Sequence, residues 1–167
     1  MELEIKVNGE QWALNVAPAD VLLDVLREQV GTKSPKIGCE RGDCGSCTVL
    51  MDGRTVRSCL VLAVEAEGHQ IVTVEGISYQ GLSELQDLFL RINAFQCGFC
   101  APGIVLSATE LLEHNPNPTR HDVQEALAGN LCRCTGYEPI IEAVLGAGQP
   151  KVGLDRPATG PAEGDRP

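Results

Sequence analysis

The stretch Gly38-Cys-Glu-Arg-Gly-Asp-Cys-Gly-Ser-Cys47 decides the fold of the first half of this chain. Its cysteines follow the pattern C-x4-C-x2-C, and Cys59 follows eleven residues later. Four thiolates at this spacing can hold a [2Fe–2S] cluster. Glycines at positions 38, 42 and 45 let the backbone approach an inorganic core, so that N–H groups can point at its sulfurs. We therefore predict a cluster-binding loop with the ligands Cys39, Cys44, Cys47 and Cys59.

The remaining four cysteines form a second set with different spacing, Cys97-x2-Cys100-x31-Cys132-x-Cys134, and no cysteine is left over. A pair of metal clusters is therefore the first hypothesis. Zinc remains an alternative for the second set, because four thiolates of this kind can also form a tetrahedral zinc site. The neighbouring cluster loop favours a second redox centre. A disulfide framework is disfavoured, because a reducing compartment keeps thiols free.

Composition narrows the class of protein further. The chain has 167 residues, 43% of them hydrophobic, which is enough for one domain or two small ones. No apolar run approaches the ~20 residues of a transmembrane helix, and the N-terminus lacks a secretion signal. We therefore expect a cytoplasmic protein without a membrane span. A net charge of −10 makes nucleic acid a poor partner.

The first half has the pattern of an α+β fold. Residues 2–16 alternate in polarity around an Asn8-Gly9 turn, which predicts a β-hairpin. Asp20 is the expected N-cap of a helix that ends at Gly31, and further strands are predicted at residues 48–56 and 70–74. Strands around one crossing helix resemble the β-grasp of plant-type ferredoxins. We predict that residues 1–76 form this ferredoxin-like domain.

The second half has the pattern of an all-α domain. A helix, a cysteine pair and another helix follow one another twice between residues 77 and 148. Two such units packed antiparallel would form a four-helix bundle and bring both cysteine pairs to one end. Each pair would lie where a helix N-terminus favours anionic thiolates. Residues 149–167 are rich in Pro and Gly and are predicted to be a tail without a core.

Three motifs in register resemble a known family: Gly38-Cys-x-x-Gly-x-Cys-Gly-x-Cys-Thr-Val49, Gln96-Cys-Gly-Phe-Cys-x-Pro-Gly103 and Gly129-Asn-Leu-Cys-Arg-Cys-Thr-Gly-Tyr137. They are similar to the two-[2Fe–2S] iron–sulfur subunit of the molybdenum hydroxylases, a family that includes xanthine and carbon monoxide dehydrogenases. The resemblance covers residues 2 to about 148. It departs from the usual motifs at Ser46 and Ala101, where small residues replace small residues.

The resemblance implies a role for each matching position. Cys39, Cys44, Cys47 and Cys59 would hold the cluster nearer the flavin. The second cluster, buried near the molybdenum cofactor, would be held by Cys97, Cys100, Cys132 and Cys134. Gln96 and Cys134 would also touch the pterin of that cofactor. No residue would be catalytic.

The family also implies partners and a function. The chain would relay electrons from a molybdopterin-type cofactor on a large subunit to FAD on a medium subunit, or to another acceptor. The expected assembly is a heterotrimer or a dimer of heterotrimers. Two other classes of protein stay open from the sequence, a free-standing ferredoxin and a zinc-stabilised interaction module.

Overall fold

A computed structural model describes residues 1–148 of the chain. Its first half contains a five-stranded mixed sheet with the strand order β2-β1-β5-β3-β4. Strand β1 pairs with β5 in parallel, whereas the other neighbours pair antiparallel. The strands are β1 (Glu2–Val7), β2 (Glu10–Asn15), β3 (Thr48–Met51), β4 (Arg54–Arg57) and β5 (Gln70–Val72).

Both antiparallel hairpins have two-residue turns with left-handed backbone. The φ angles are 52° and 89° at Asn8 and Gly9, and 49° and 82° at Asp52 and Gly53. Positive φ at both central residues matches the twist of the flanking strands, which is why Asn-Gly and Asp-Gly turns join short hairpins. The alternation predicted for the first hairpin is confirmed, because the side chains of Leu3, Ile5 and Val7 all face the core.

One helix crosses the sheet. Helix α1 (Leu22–Val25) continues as a wider π-type turn over Leu26–Val30 and ends at Gly31, whose φ of 86° suits a residue without Cβ. The predicted N-cap Asp20 is wrong. The cap position is Val21, which is extended and bridges Leu62, while the Asp20 carboxylate accepts a hydrogen bond from Ala17 N–H at 2.7 Å.

The second half is helical. Its elements are α2 (Val74–Ile77), α3 (Glu84–Arg91), α4 (Ala101–His114), α5 (Arg120–Leu127) and α6 (Glu138–Gly148). Ser83 and Thr119 cap α3 and α5 through reciprocal hydrogen bonds with Gln86 and Asp122, which form a capping box at the start of each helix. The last predicted strand is shorter than expected, because the chain turns into α2 after Val72.

Each half has its own buried core. The sheet packs Leu3, Ile5 and Ile71 against Leu22 and Leu26 of the crossing helix. The helices bury a separate cluster that includes Phe89, Ile104, Val123, Ile140 and Val144. The predicted mixed α+β architecture is confirmed. The predicted tail at residues 149–167 lies outside the described residues.

The two halves touch where α4 packs against β3 and β4. Glu110 of α4 accepts a hydrogen bond from Thr55 N–H at 3.0 Å and forms an ion pair with Arg54 at 3.4 Å. Between residues 1 and 148 no helix is long and apolar enough to cross a membrane. The contact between the halves brings the two cysteine-bearing regions close to each other.

Candidate metal centres

The first cysteine set lies around the start of β3. Cys39 and Cys44 belong to the preceding loop, Cys47 directly precedes the strand, and Cys59 follows β4. The Sγ atoms of Cys47 and Cys59 are 3.4 Å apart, and Cys44 N–H donates to Cys39 Sγ at 3.4 Å. The hairpin of β3 and β4 is therefore the element that brings Cys59 back to the loop.

The backbone of this loop is shaped to surround sulfur. Glu40, Gly42 and Gly45 have φ angles of 53°, 87° and 71°, which turn successive N–H groups toward the thiols. Hydrogen bonds from the backbone of Arg41 and Cys44 lower the pKa of Cys39 to about 7. A Cβ at Gly38 would lie 2.7 Å from Cys44 Sγ. The loop thus stabilises a thiolate at a place where no larger residue fits.

Burial differs across the first set. Cys47 and Cys59 are buried, whereas Cys39 and Cys44 are half-buried. Burial, followed by the contact with Cys47, raises the pKa of the Cys59 thiol to about 11. A bound metal would have to displace that proton, because the thiolate is the ligand form. One edge of the set therefore faces solvent and the other faces the protein.

The second cysteine set lies between helices. Cys97 and Cys100 are in the turn before α4, and Cys132 and Cys134 are in the loop that joins α5 to α6. The Sγ atoms of Cys134 and Cys97 are 3.6 Å apart. Burial, followed by the neighbouring Cys132 thiol, raises the pKa of Cys100 to about 12. The structure therefore brings the two cysteine pairs together.

Hydrogen bonds shape the second set as they shape the first. The backbone N–H of Phe99 lowers the pKa of Cys97. Burial opposes ionisation of Cys132, but the Thr135 hydroxyl, whose Oγ1 lies 3.2 Å from Sγ, and nearby backbone N–H groups lower its pKa. The Tyr137 hydroxyl accepts from Cys132 N–H at 2.8 Å and donates to Asn130 O at 3.0 Å. The aromatic side chain thereby holds the loop closed.

In both cysteine sets, thiols lie next to one another in pairs. Cys47 contacts Cys59, Cys44 contacts Cys39, Cys97 contacts Cys134, and Cys100 contacts Cys132. Zinc needs four sulfurs at about 2.3 Å from one centre, whereas a dinuclear iron cluster takes two ligands on each iron. The residues present fit two [2Fe–2S] clusters.

Gln96 and Cys134, the two residues expected to touch a pterin, lie side by side. Gln96 Nε2 donates to the Cys134 carbonyl at 3.2 Å, and both residues are exposed. Phe99 and Leu131 are also exposed, at 46% and 55%. The surface around the second set is therefore open in this chain. Its predicted burial would have to come from another subunit.

Two features near the cysteines escaped the sequence analysis. The ammonium of Lys36 lies 5.5 Å from the centroid of the Phe99 ring, which places a cation from the first half beside the second cysteine set. Leu131 N–H donates to the Cys44 carbonyl at 2.9 Å, which joins the two cysteine loops directly. Both contacts depend on how the halves dock, so no local pattern could have indicated them.

Family models match both halves. A "2Fe-2S iron-sulfur cluster binding domain" matches residues 5–73, and a "[2Fe-2S] binding domain" matches residues 73–145. The small subunit of nicotine 6-hydroxylase from Paenarthrobacter nicotinovorans is 53% identical over 147 residues, which cover 88% of this chain and 89% of that protein. The small FeS subunit of nicotinate dehydrogenase from Eubacterium barkeri is 46% identical, with coverage of 85% and 91%.

A solved structure agrees. A chain of quinoline 2-oxidoreductase from Pseudomonas putida 86 matches with a TM-score of 0.85 and 51% identity, over 89% of this chain and 92% of that one. The paired thiols, the two cluster-domain matches and these relatives confirm the resemblance indicated by the three motifs. The chain therefore belongs to the two-[2Fe–2S] small subunits of the molybdenum hydroxylases.

Proposed function

We propose that this chain is the electron-relay subunit of a molybdenum-cofactor-dependent oxidoreductase. The observation that best supports this function is the presence of two four-thiol sites, whose loops are joined by the hydrogen bond from Leu131 N–H to the Cys44 carbonyl. The relatives are small iron–sulfur subunits of oxidoreductases. Bound [2Fe–2S] clusters would supply one-electron chemistry, while the protein sets their position and surroundings.

The proposed ligands are the two cysteine sets. Cys39, Cys44, Cys47 and Cys59 would hold the first cluster, and Cys97, Cys100, Cys132 and Cys134 would hold the second. The paired thiols and the inward N–H groups support this assignment. Hydrogen bonds to sulfur and burial tune cluster potentials, and both differ between the two sets. No residue of this chain is proposed to act on a substrate.

The proposed domain division follows the two cores. Residues 1–76 would form a β-grasp ferredoxin-like domain, supported by the strand order and the crossing helix. Residues 77–148 would form a four-helix domain, supported by the shared core of α3 to α6. Each domain would then carry one cluster.

The proposed partners are a large molybdenum-cofactor subunit and a medium FAD subunit in a cytoplasmic heterotrimer or its dimer. The exposed surface at Gln96, Phe99, Leu131 and Cys134 supports a partner at the second cluster. We propose that Gln96 and Cys134 contact the pterin of the large subunit. Electrons would then enter at the second cluster and leave from the first.

Two matched cysteine variants of the assembled complex test this order. In Cys44→Ser, substrate should still reduce the second cluster within the wild-type time, while reduction of the flavin slows. In Cys134→Ser, the first cluster should form and accept electrons from dithionite but stay oxidised after mixing with substrate. Rapid-freeze electron paramagnetic resonance (EPR) spectroscopy distinguishes the two signals. A Cys44→Ser complex that blocks reduction of an intact second cluster would reverse the proposed direction.

The alternative functions have their own outcomes. A zinc-stabilised module predicts a colourless preparation with stoichiometric zinc. A free-standing ferredoxin predicts a stable monomer that purifies without other subunits and keeps both clusters in air. Neither accounts for the open surface beside Gln96 as directly as an electron-relay subunit does.

A further inference from the structure

Asn130 is a buried polar residue placed between the two cysteine loops. It is 1% exposed, directly precedes Leu131, and lies two residues before Cys132. Its Nδ2 donates to the Gly45 carbonyl and to Thr48 Oγ1, both at 3.2 Å. Its Oδ1 accepts from the Ser107 hydroxyl at 2.9 Å. One side chain therefore binds the first cysteine loop, the start of β3 and helix α4.

Glycines allow the backbones around Asn130 to approach closely. A Cβ at Gly45 would lie 2.3 Å from the Gly129 carbonyl oxygen, and a Cβ at Gly103 would lie 2.4 Å from the Gly45 carbonyl oxygen. Arg57 closes the same junction, with hydrogen bonds of 2.8 Å to Thr48 Oγ1 and to the Gly129 carbonyl. The backbones of the loops and of α4 thus approach closely at Gly45 and Gly103, and the Asn130 side chain fills the space that remains.

This junction positions a short bonded connection between the two cysteine sets. The Leu131 N–H donates to the carbonyl of Cys44, and Leu131 is joined to Cys132 by one peptide bond. A route from the Cys44 sulfur to the Cys132 sulfur therefore contains a single hydrogen bond and otherwise covalent bonds. Any displacement of the Asn130 segment would lengthen that hydrogen bond.

We propose that Asn130 is the positioning residue for electron transfer between the two clusters, because it holds the Leu131 N–H on the Cys44 carbonyl. This inference rests on the proposed electron-relay function. Asn130 touches neither cluster and acts through the loop geometry. The role needs an amide, since the site has two acceptors on one side and a hydroxyl donor on the other. Without the Asn130 amide, the Gly45 carbonyl keeps hydrogen bonds from the N–H and the hydroxyl of Thr48, at 3.1 and 2.6 Å. The residue 130 segment, however, loses its side-chain bonds to the first cysteine loop, and the buried Ser107 hydroxyl loses its acceptor, which would favour movement of that segment.

The test compares three variants of the assembled complex. Asn130→Ala removes the bridge, and Ser107→Ala removes only the hydroxyl that orients the Asn130 amide. Asn8→Gly is the matched control. Asn8 also makes side-chain hydrogen bonds to a residue distant in sequence, of 3.0 and 2.8 Å with Thr73, but both residues lie within the first half and outside the cysteine loops. Its φ of 52° suits glycine, so the control adds no backbone strain.

Two readouts report the geometry without measuring turnover. Hydrogen exchange in the segment that contains Leu131 should accelerate roughly tenfold in Asn130→Ala and less in Ser107→Ala, as expected for one weakened buried hydrogen bond. The magnetic splitting between the two reduced clusters, measured by low-temperature EPR, should change in the same order. The electron-transfer rate between the clusters should fall with it. Asn8→Gly should match the wild type in all three.

The outcomes separate this inference from the proposed function. Wild-type complex without two [2Fe–2S] signals would contradict the function itself. Both clusters present, with exchange, splitting and transfer rate unchanged in Asn130→Ala and Ser107→Ala, would overturn only the role of Asn130. If Asn130→Ala does not assemble, Ser107→Ala decides the question by the same three measurements.

Discussion

Replacing Gly103 by alanine should destabilise the protein, although Gly103 lies in helix α4 and alanine is the better helix former. The glycine is buried in the first turn of the helix. A Cβ there would lie 2.4 Å from the Gly45 carbonyl oxygen and 2.8 Å from Asn130 Nδ2. The first of these atoms is backbone, so the close contact can be relieved only if the cysteine loop or the helix moves.

Three contributions to the change in unfolding free energy can be estimated. Helix propensity favours alanine by about 1 kcal/mol. Overpacking a filled site costs about 1–3 kcal/mol, and losing the hydrogen bond between Asn130 and Gly45 adds about 1 kcal/mol. The net effect of Gly103→Ala should therefore be a loss of about 1–3 kcal/mol. For a chain of this size, a loss of about 2 kcal/mol corresponds to a melting temperature lower by roughly 4–8 °C.

Gly146→Ala is the matched control for this prediction. Gly146 is also helical, in α6, but its Cβ would meet only Leu88 Cδ1 at 3.7 Å, an ordinary contact. This variant should be neutral or more stable by up to about 1 kcal/mol. Thermal unfolding of both variants, followed by loss of visible absorption under identical conditions, measures the difference. A Gly103→Ala protein as stable as Gly146→Ala would refute the steric argument.

Two further substitutions test the roles of the charged residues Lys36 and Glu75. Lys36→Met should lower the reduction potential of the second cluster by tens of millivolts, because it removes a nearby positive charge worth about 1 kcal/mol. For one electron, about 59 mV corresponds to a factor of ten in the equilibrium constant. An EPR-monitored redox titration that gives the wild-type potential would exclude an influence of Lys36 on the cluster. Burial opposes ionisation of Glu75, but hydrogen bonds from Ser34 and Thr73 lower its pKa overall. A lowered folded pKa gives stability above the ordinary carboxyl pKa that is lost as pH falls through the folded value. The free energy of unfolding should therefore be higher for the wild type than for Glu75→Gln at pH 7, and the two values should converge below pH ~4. A difference in unfolding free energy that persists in acid would contradict this.

Local chemistry explains which parts of the fold were predictable. The hairpin turns at Asn8-Gly9 and Asp52-Gly53 and the caps at Ser83 and Thr119 each depend on a few neighbouring residues. These turns and caps were predictable because the interactions that form them are close in sequence.

Contacts between residues distant in sequence explain the features that the sequence analysis predicted wrongly or missed. Asp20 has the right chemistry for an N-cap, but the bridge between Val21 and Leu62 moves the helix start one residue on. The roles of Lys36 and Asn130 arise only when the helical half docks on the sheet. Asn130 stands inside a motif that identified the family, yet its neighbours along the chain do not show that it would contact Gly45.

The central claim is that eight cysteines hold two [2Fe–2S] clusters. The most direct test is metal and acid-labile sulfide analysis of the purified chain or complex, combined with EPR of the reduced sample. We expect four iron and four sulfide for each copy of this chain, with two distinguishable S = 1/2 signals. Stoichiometric zinc at either site, or a single iron–sulfur signal with two iron per chain, would contradict it.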